Sequence, residues 1–458
     1  MTFARNSLVS YTMVFLVAGA LLSVPARAQG AYEQAWSSQL GTGSDEECWS
    51  VAIDANRRAY ISGRTKGDLA GSNQGTFDAY LYRLDASGTP TRGWQLGTSD
   101  DDQGRGVALD VSGDAYVGGF TYGTLGAASH GHYDAFLAKY DTSDTSTSDP
   151  LWTRQVGTAE LDKGVGAAVD SDGNAYLAGF TDGDLVGTNQ GSWDGFVAKY
   201  DGDGTSQWSR QFGTDAFDEI RSISVAGEAV YITGGTEGDL DGQVGGEDAF
   251  VIKYDTDGAE QWTRQFGSDN WDVAQSVAAD SNGNAYVTGI TSGDLAGTNS
   301  GLDDVFLVKY DADGNESWRR QLGTSETERG VSVAVDAEGS AFVVGRTRGV
   351  LGDSSEGEAD AFLVKYDASG NHLWTRQFGT DEFDESLAAS VDGEGNVYTG
   401  GYTYGDLGGA NAGWKDAFLV KYQVPEPATL GLVVLGGMLL GGKRRRGGLF
   451  RNGVGRGS

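Results

Sequence analysis

The chain has 458 residues, of which 73 are glycine and only 5 proline, and aromatic residues make up 11%. Its net charge is −32; with the two ends set aside, the body carries 25 basic against 64 acidic residues, a net −39. Such an acidic excess excludes nucleic acid as a natural partner, because phosphates attract basic surfaces, and the lone Cys48 excludes an intramolecular disulfide.

The chain opens with Arg5, an uncharged and mostly apolar run over residues 9–24, and the small-residue triplet Ala26-Arg27-Ala28. This is the order of a secretory signal peptide, expected over residues 1–28, with the mature chain starting near Gln29. A strand-like run follows at Ala35–Leu40. From there the sequence repeats. The glycine that ends the pattern Gln-x-Gly recurs at Gly41, Gly97, Gly157, Gly213, Gly267, Gly323 and Gly379, at spacings of 56, 60, 56, 54, 56 and 56. An independent marker, Asp78, Asp134, Asp194, Asp248, Asp304, Asp360 and Asp416, keeps nearly the same step. Seven units result, and the longer step falls where residues 142–149 lengthen one turn.

Each unit holds four strand-like runs separated by Asp/Gly turn signals. One run has small residues at Ser50, Gly106, Gly166, Ser222, Ser276, Ser332 and Ala388, and again two positions on, so one strand face is small in every unit. Only a strand crowded against a central axis needs this, so it is strand A, the innermost. Asn-Ala-Tyr-Val, as at 284–287, is strand B. Asp-Ala-Phe-Leu-Val-Lys-Tyr, as at 360–366, is strand C, and Trp-Thr-Arg-Gln-Phe, as at 262–266, is the outer strand D. Four strands in about 50 residues, repeated this often, is the arithmetic of a propeller. The expected fold is all-β: a seven-bladed β-propeller over residues 34–423, with four antiparallel strands per blade. The chain starts on a D-type strand and ends on a C-type strand at Tyr422. The first strand is therefore expected to complete the last blade and close the ring.

After the propeller, Val424-Pro425-Glu426-Pro427 leads into an apolar run over 428–442 and then Lys443-Arg444-Arg445-Arg446. The apolar run is shorter than the roughly 20 residues of a full span, and its basic end fits the cytoplasmic side. A plain tail anchor is the alternative to a sorting segment. We assign residues 424–446 to the motif, apolar segment and basic stop, and 447–458 to a disordered tail.

Two resemblances follow from these residues. The Val-Ala-Val-Asp-x-x-Gly-Asn-Ala-Tyr-Val core and the Asp-Ala-Phe-Leu-Val-Lys-Tyr strand resemble the SBBP family of β-propeller repeats, which implies an extracellular propeller and no particular activity. The Pro425-Glu426-Pro427 motif with its apolar and basic followers resembles the PEP-CTERM sorting signal of Gram-negative bacteria. It implies transient inner-membrane insertion and cleavage by an exosortase-type partner. Delivery to the cell surface or an exopolysaccharide matrix would follow.

Candidate sites divide into three groups. The seven Asp residues from Asp78 to Asp416 read either as a ring of ion ligands or as acceptors of backbone N–H groups that fix the B–C loops. Recurrence in every unit favours architecture. The turns with Asp170 and Asp172, and with Asp311 and Asp313, offer oxygen ligands for calcium, the one cofactor the sequence suggests. Their glycine stands fourth rather than sixth as in an EF-hand, and hairpin geometry also explains Asp-Gly. On the face carrying the B–C and D–A connections, Trp49, Tyr122, Trp193, Trp271, Tyr404 and Trp414 suit stacking on sugar rings; packing between blades is the alternative. His130 and His132 lack a third metal ligand nearby, and no nucleophile elbow or Cys-His pair occurs. A non-enzymatic binding or scaffold protein of the cell surface or matrix, holding polysaccharide or matrix proteins, is the expected function. A carbohydrate-active enzyme and a structural spacer are its rivals. An enzyme would need one or two blades that depart from the repeat with convergent acid and base groups.

Overall fold

The computed structural model describes residues 32–126, 129–144, 146–352 and 354–424. The expected signal peptide over 1–28, Pro425, Glu426 and Pro427, the apolar and basic segment to 446, and the tail over 447–458 lie outside the described residues. Among the described residues no helix is long and apolar enough to cross a membrane.

The described residues from 32 to 424 form a compact unit of seven four-stranded sheets. Blade 1 runs from strand A at Glu46–Ile53 through B at Ala59–Thr65 and C at Asp78–Leu84 to D at Pro90–Leu96. Blades 2 to 6 repeat this order, with all pairings antiparallel. Blade 7 takes A, B and C from Asp384–Val391, Val397–Thr403 and Asp416–Gln423, and D from Glu33–Leu40 at the start of the chain. Gln39 lies opposite Phe418 and Leu40 opposite Ala417. The ring thus closes on backbone hydrogen bonds between the two ends of the propeller.

Seven apolar clusters fill the spaces between blades; one joins Tyr60 and Leu81 of blade 1 to Val117 and Phe136 of blade 2. On the outer side, strands D and C of blades 2 to 5 grip the C–D turn of the next blade. Trp262 Nε1 donates to the Ala312 carbonyl at 3.1 Å, Lys253 Nζ to the same oxygen at 2.7 Å, and Arg264 Nε to the Gly314 carbonyl at 2.7 Å. Blades 3 and 5 make equivalent contacts through Trp208 and Trp318. Gly314 has φ of +80°, and a Cβ there would meet the Trp262 ring at 2.8 Å, so this turn admits only glycine. Blade 6 is adapted: Phe342 stands where other blades have a strand-B tyrosine. Tyr32 packs on its ring at 5.7 Å and donates to the Gly395 carbonyl at 3.0 Å.

The small residues of strand A lie where one A strand approaches the next. Ser50 Oγ accepts from Val107 N at 3.0 Å, Ser276 Oγ from Val333 N at 3.3 Å, and Ser332 Oγ from Ala389 N at 3.1 Å. These N–H groups lie on the inner edge of each sheet, so a short hydroxyl in the neighbouring blade satisfies donors that have no ladder partner. A Cβ on Gly106 would lie 2.4 Å from Ala167 N. The axis therefore demands small side chains because neighbouring backbones nearly touch.

Candidate functional site

The strand-C aspartates fix the B–C loops. Asp248 Oδ2 accepts from Val244 N at 2.7 Å and from Gln265 Nε2 at 2.9 Å. Asp78, Asp134, Asp194, Asp304, Asp360 and Asp416 make the same pair of contacts with a loop amide and the strand-D glutamine of their own sheet. This arrangement explains both repeat markers together. A Cβ on Gly97 would fall 2.1 Å from Asp78 Oδ1, and one on Gly267 would fall 2.2 Å from Asp248 Oδ1.

A second ring of carboxylates was not singled out by sequence: Glu46, Asp102, Asp162, Asp218, Asp272, Glu328 and Asp384 begin strand A in each blade and are all buried. Asp102 Oδ2 accepts from Thr98 N at 2.6 Å and Thr98 Oγ1 at 2.9 Å, tying down the D–A turn. The signal was available as an acidic residue five positions after each marker glycine.

The acidic turns are also structural parts. Asp170 Oδ1 accepts from Asp172 N at 3.0 Å and Asn174 N at 2.9 Å, and Asp170 Oδ2 from Tyr176 Oη at 2.9 Å. Burial favours the neutral acid here, but the Asn174 side chain and N–H, the Tyr176 hydroxyl and the charge of Lys199 outweigh it and hold the carboxyl below its ordinary value. Asp311 Oδ1 accepts from Asp313 N at 3.0 Å and Asn315 N at 2.8 Å, in the C–D turn that receives Trp262 and Arg264. The two turns belong to different blades, and among the described residues no three His, Cys, Asp or Glu side chains converge to hold a metal.

Of the six aromatic candidates, Tyr404 and Trp414 meet, and the others lie in different blades. Trp193 stacks on Phe180 at 4.5 Å and abuts Phe217, so it packs between blades. Trp271 donates to Glu247. Tyr122 rests against Tyr133, and Tyr404 against Trp414, which is 71% exposed. Trp49 differs from its expected place in a loop: it sits within strand A of blade 1, at a β-bulge between Cys48 and Ser50.

That bulge recurs in every blade and organises the mouth of the axis. A bulge inserts an unpaired residue and re-aims its side chain. The bulged residues are Trp49, Arg105, Val165, Arg221, Gln275, Val331 and Leu387, and together they line an axial cavity of about 330 Å³. Sequence reasoning missed this ring because a strictly alternating strand would turn these positions elsewhere. The ring is not sevenfold in chemistry. Blades 1 to 5 supply an indole, two guanidinium groups and an amide among their residues, while blades 6 and 7 supply only Val331 and Leu387.

Charged and aromatic groups surround this ring. Arg105 lies over the Trp49 ring at 3.9 Å and the Phe120 ring at 5.4 Å. Lys163 lies over Phe120 at 4.9 Å and Tyr133 at 4.8 Å. Glu219 pairs with Arg221 at 2.6 Å, and Glu47 pairs with Arg64 at 2.8 Å and with Lys415. Burial pushes the Glu219 carboxyl up despite Arg221 beside it. Burial also opposes the charge of Glu47, but Arg64 and Lys415 outweigh it and hold that carboxyl below its ordinary value.

These features define a seven-bladed propeller with a constant frame and an asymmetric, cation- and aromatic-rich axial mouth. The chain carries the SBBP beta-propeller repeat at residues 151–185 and 261–296 and the PEP-CTERM protein-sorting motif at residues 423–446. Two stretches of the propeller thus match the SBBP repeat, and the motif at 423–446 matches a PEP-CTERM sorting signal. That motif implies export with membrane transit in a Gram-negative bacterium and processing by exosortase-type machinery. The regulatory protein FlaEY of Caulobacter vibrioides is similar at 32% identity over 136 residues, 27% of this chain and 14% of that protein. An uncharacterized WD repeat-containing protein of Acanthamoeba polyphaga mimivirus is 26% identical over 188 residues, again 14% of its length. The chain therefore matches only a small part of these relatives. Among solved structures, the Pan2 WD40 domain of Neurospora crassa aligns with a TM-score of 0.49 at 11% identity, covering 86% of this chain and 96% of that one. A virginiamycin B lyase from Staphylococcus aureus aligns at 0.45 and 8% identity, covering 85% and 99%.

Proposed function

We propose that this protein is a non-catalytic binding module of the cell surface or extracellular matrix, and that it holds exopolysaccharide on its loop-bearing face. The observation that carries the reading is the divergence at the axial mouth. The repeated Asp, Gln, Gly, Trp and Lys residues are spent on holding blades and loops together. The bulged positions of strand A are free of that duty and differ from blade to blade. Divergence that lines a cavity with aromatic faces, hydrogen-bonding groups and charge is the arrangement a ligand site needs. A purely structural spacer would have no use for it.

Support for a binder over an enzyme comes from the state of one carboxylate. Glu47 is tied to Arg64 and Lys415 and held below its ordinary value, which opposes its use as a general acid. The test is retention of the exported protein on immobilised exopolysaccharide and on a glycan array, with and without calcium, beside immunolabelling of intact cells. We expect glycan retention, surface labelling, and loss of retention in Trp49→Ala. A protein that binds no glycan or matrix extract and remains in the periplasm would refute the reading.

A further inference from the structure

We propose that Arg105 and Lys163 form a carboxylate-binding site at the axial mouth, and that its ligand is an acidic sugar, a uronate residue within a polysaccharide. The inference rests on the glycan-binding reading above and specifies the chemistry of the sugar.

Most cations around the mouth are already neutralised. Arg64 and Lys415 serve Glu47, Arg221 serves Glu219, and Arg346 lies 3.4 Å from Glu385. Arg105 and Lys163 form no ion pair with any described carboxylate and are held on aromatic rings instead. Phe120 carries both of them, one at 5.4 Å and the other at 4.9 Å from its centroid. A ring stabilises a cation through its face and leaves the N–H donors free for another partner.

The two cations are also held at a cost. Burial, and then the charge of Arg64, pull the Arg105 guanidinium down to about 10, and burial followed by the charge of Arg105 lowers Lys163. In a body of net −39, no described carboxylate stands at ion-pair distance from either cation, although Glu219 lines the same cavity. An incoming anion would supply the missing partner, gaining charge-assisted hydrogen bonds from a deeply buried guanidinium and a half-buried ammonium. The more distant Asp101 and Glu219 act on both cations and limit the charge the site accepts. That favours a singly charged anion over a phosphate dianion, and the planar guanidinium fork of Arg105 matches the two oxygens of a carboxylate. The Trp49 indole lines the same cavity, with Arg105 over one face of its ring.

The experiment is calorimetric titration of the full exported protein with trigalacturonate, with its neutral counterpart galactotriose, and with a sulfated galactose trimer. We expect trigalacturonate to bind at least tenfold more tightly than galactotriose and more tightly than the sulfated trimer. Arg105→Gln and Lys163→Gln should each weaken trigalacturonate about tenfold, the order expected for one charge-assisted contact. Lys415→Gln, which removes a cation already serving Glu47, should change it less than twofold. Equal affinity for galactotriose and trigalacturonate in the wild-type protein would overturn the carboxylate site while leaving a glycan binder intact, and this comparison needs no folded variant. Tighter binding of the sulfated trimer would overturn the choice of carboxylate. Unchanged trigalacturonate affinity in both folded Gln variants would overturn the assignment to Arg105 and Lys163. Absence of binding to every sugar, polymers included, would remove the underlying reading as well.

Discussion

Gln265 offers the sharpest test of how the repeat holds its functional face. Its Oε1 accepts from Leu240 N at 2.7 Å and Asp241 N at 3.1 Å, and its Nε2 donates to the Gly238 carbonyl and to Asp248 Oδ2, both at 2.9 Å. One buried side chain thus ties the B–C loop to the strand-C carboxylate. Gln265→Ala removes four hydrogen bonds, each worth about 0.5–1.5 kcal/mol net, but the freed loop amides can turn to water. The expected loss is therefore about 2–4 kcal/mol. Gln261→Ala in the same strand is the control: its amide bonds to Asp255 at 2.9 Å on the exposed side, and its loss should cost below about 0.5 kcal/mol. Urea unfolding should show a lower midpoint with unchanged slope for Gln265→Ala only. Hydrogen exchange should show lost protection at Leu240 and Asp241. If the two variants unfold alike and those two amides stay protected, the loop is held by something other than the Asp–Gln clamp.

Three further outcomes follow from the same frame. Gly97→Ala places a methyl about 2.1 Å from Asp78 Oδ1, so it should destabilise by at least about 1–3 kcal/mol in urea titration, and stability equal to wild type would contradict the geometry. Deleting residues 29–40 removes strand D of blade 7 and uncovers the edge of Asp416–Gln423; size-exclusion with light scattering should then find self-association rather than a clean monomer. Burial raises the carboxyl groups of Asp78, Asp102, Asp162, Asp194, Asp272 and Asp384, so the folded chain binds their protons more readily than the unfolded chain. The penalty on their charged forms is present above the folded pKa and is relieved as pH falls through it. Melting temperature should therefore rise as pH approaches the ordinary aspartate value from above. It should fall again on further acidification, when Glu47 and Asp170, which are held low, take up protons and lose their partners. A steady fall from neutral pH would contradict this.

The fold was legible because its demands are periodic. Glycine at the end of each strand D, aspartate at the start of each strand C and small residues along strand A answer constraints that every blade shares, so each was written seven times. Ring closure was legible from phase alone, since a chain that starts on D and ends on C leaves one sheet to be completed. The mouth was less legible for two physical reasons. The bulge before Ser50 and its six counterparts breaks the two-residue alternation on which side-chain direction was read, so Arg105, Arg221 and Gln275 were not recognised as facing the axis. The aromatic candidates were chosen by type and face, and type does not tell a ring packed between blades, such as Trp193 on Phe180, from one at a cavity, such as Trp49. The Asp311 turn resembles a calcium loop only in composition; its use as a socket for Trp262 and Arg264 depends on a neighbouring blade some 50 residues away.

The division between constant frame and divergent mouth also explains the charge distribution. Acidic residues are needed throughout the propeller because carboxylates cap the turns and clamp the loops in every blade, and Asp170, Asp248 and Asp311 show three versions of that duty. The resulting negative field would keep the protein soluble and repel anionic polymers over any distance that salt does not screen, about 8 Å at physiological ionic strength. An acidic ligand can therefore be held only where cations are concentrated and close, which requires a recess rather than a flat surface. The axial mouth is such a recess, and Arg105 and Lys163 stand there on aromatic supports instead of on the carboxylates that are plentiful elsewhere. Repulsion from the body and attraction at the mouth then act together: the first rejects polyanions lying across the rim, and the second admits a single acidic residue presented at the axis.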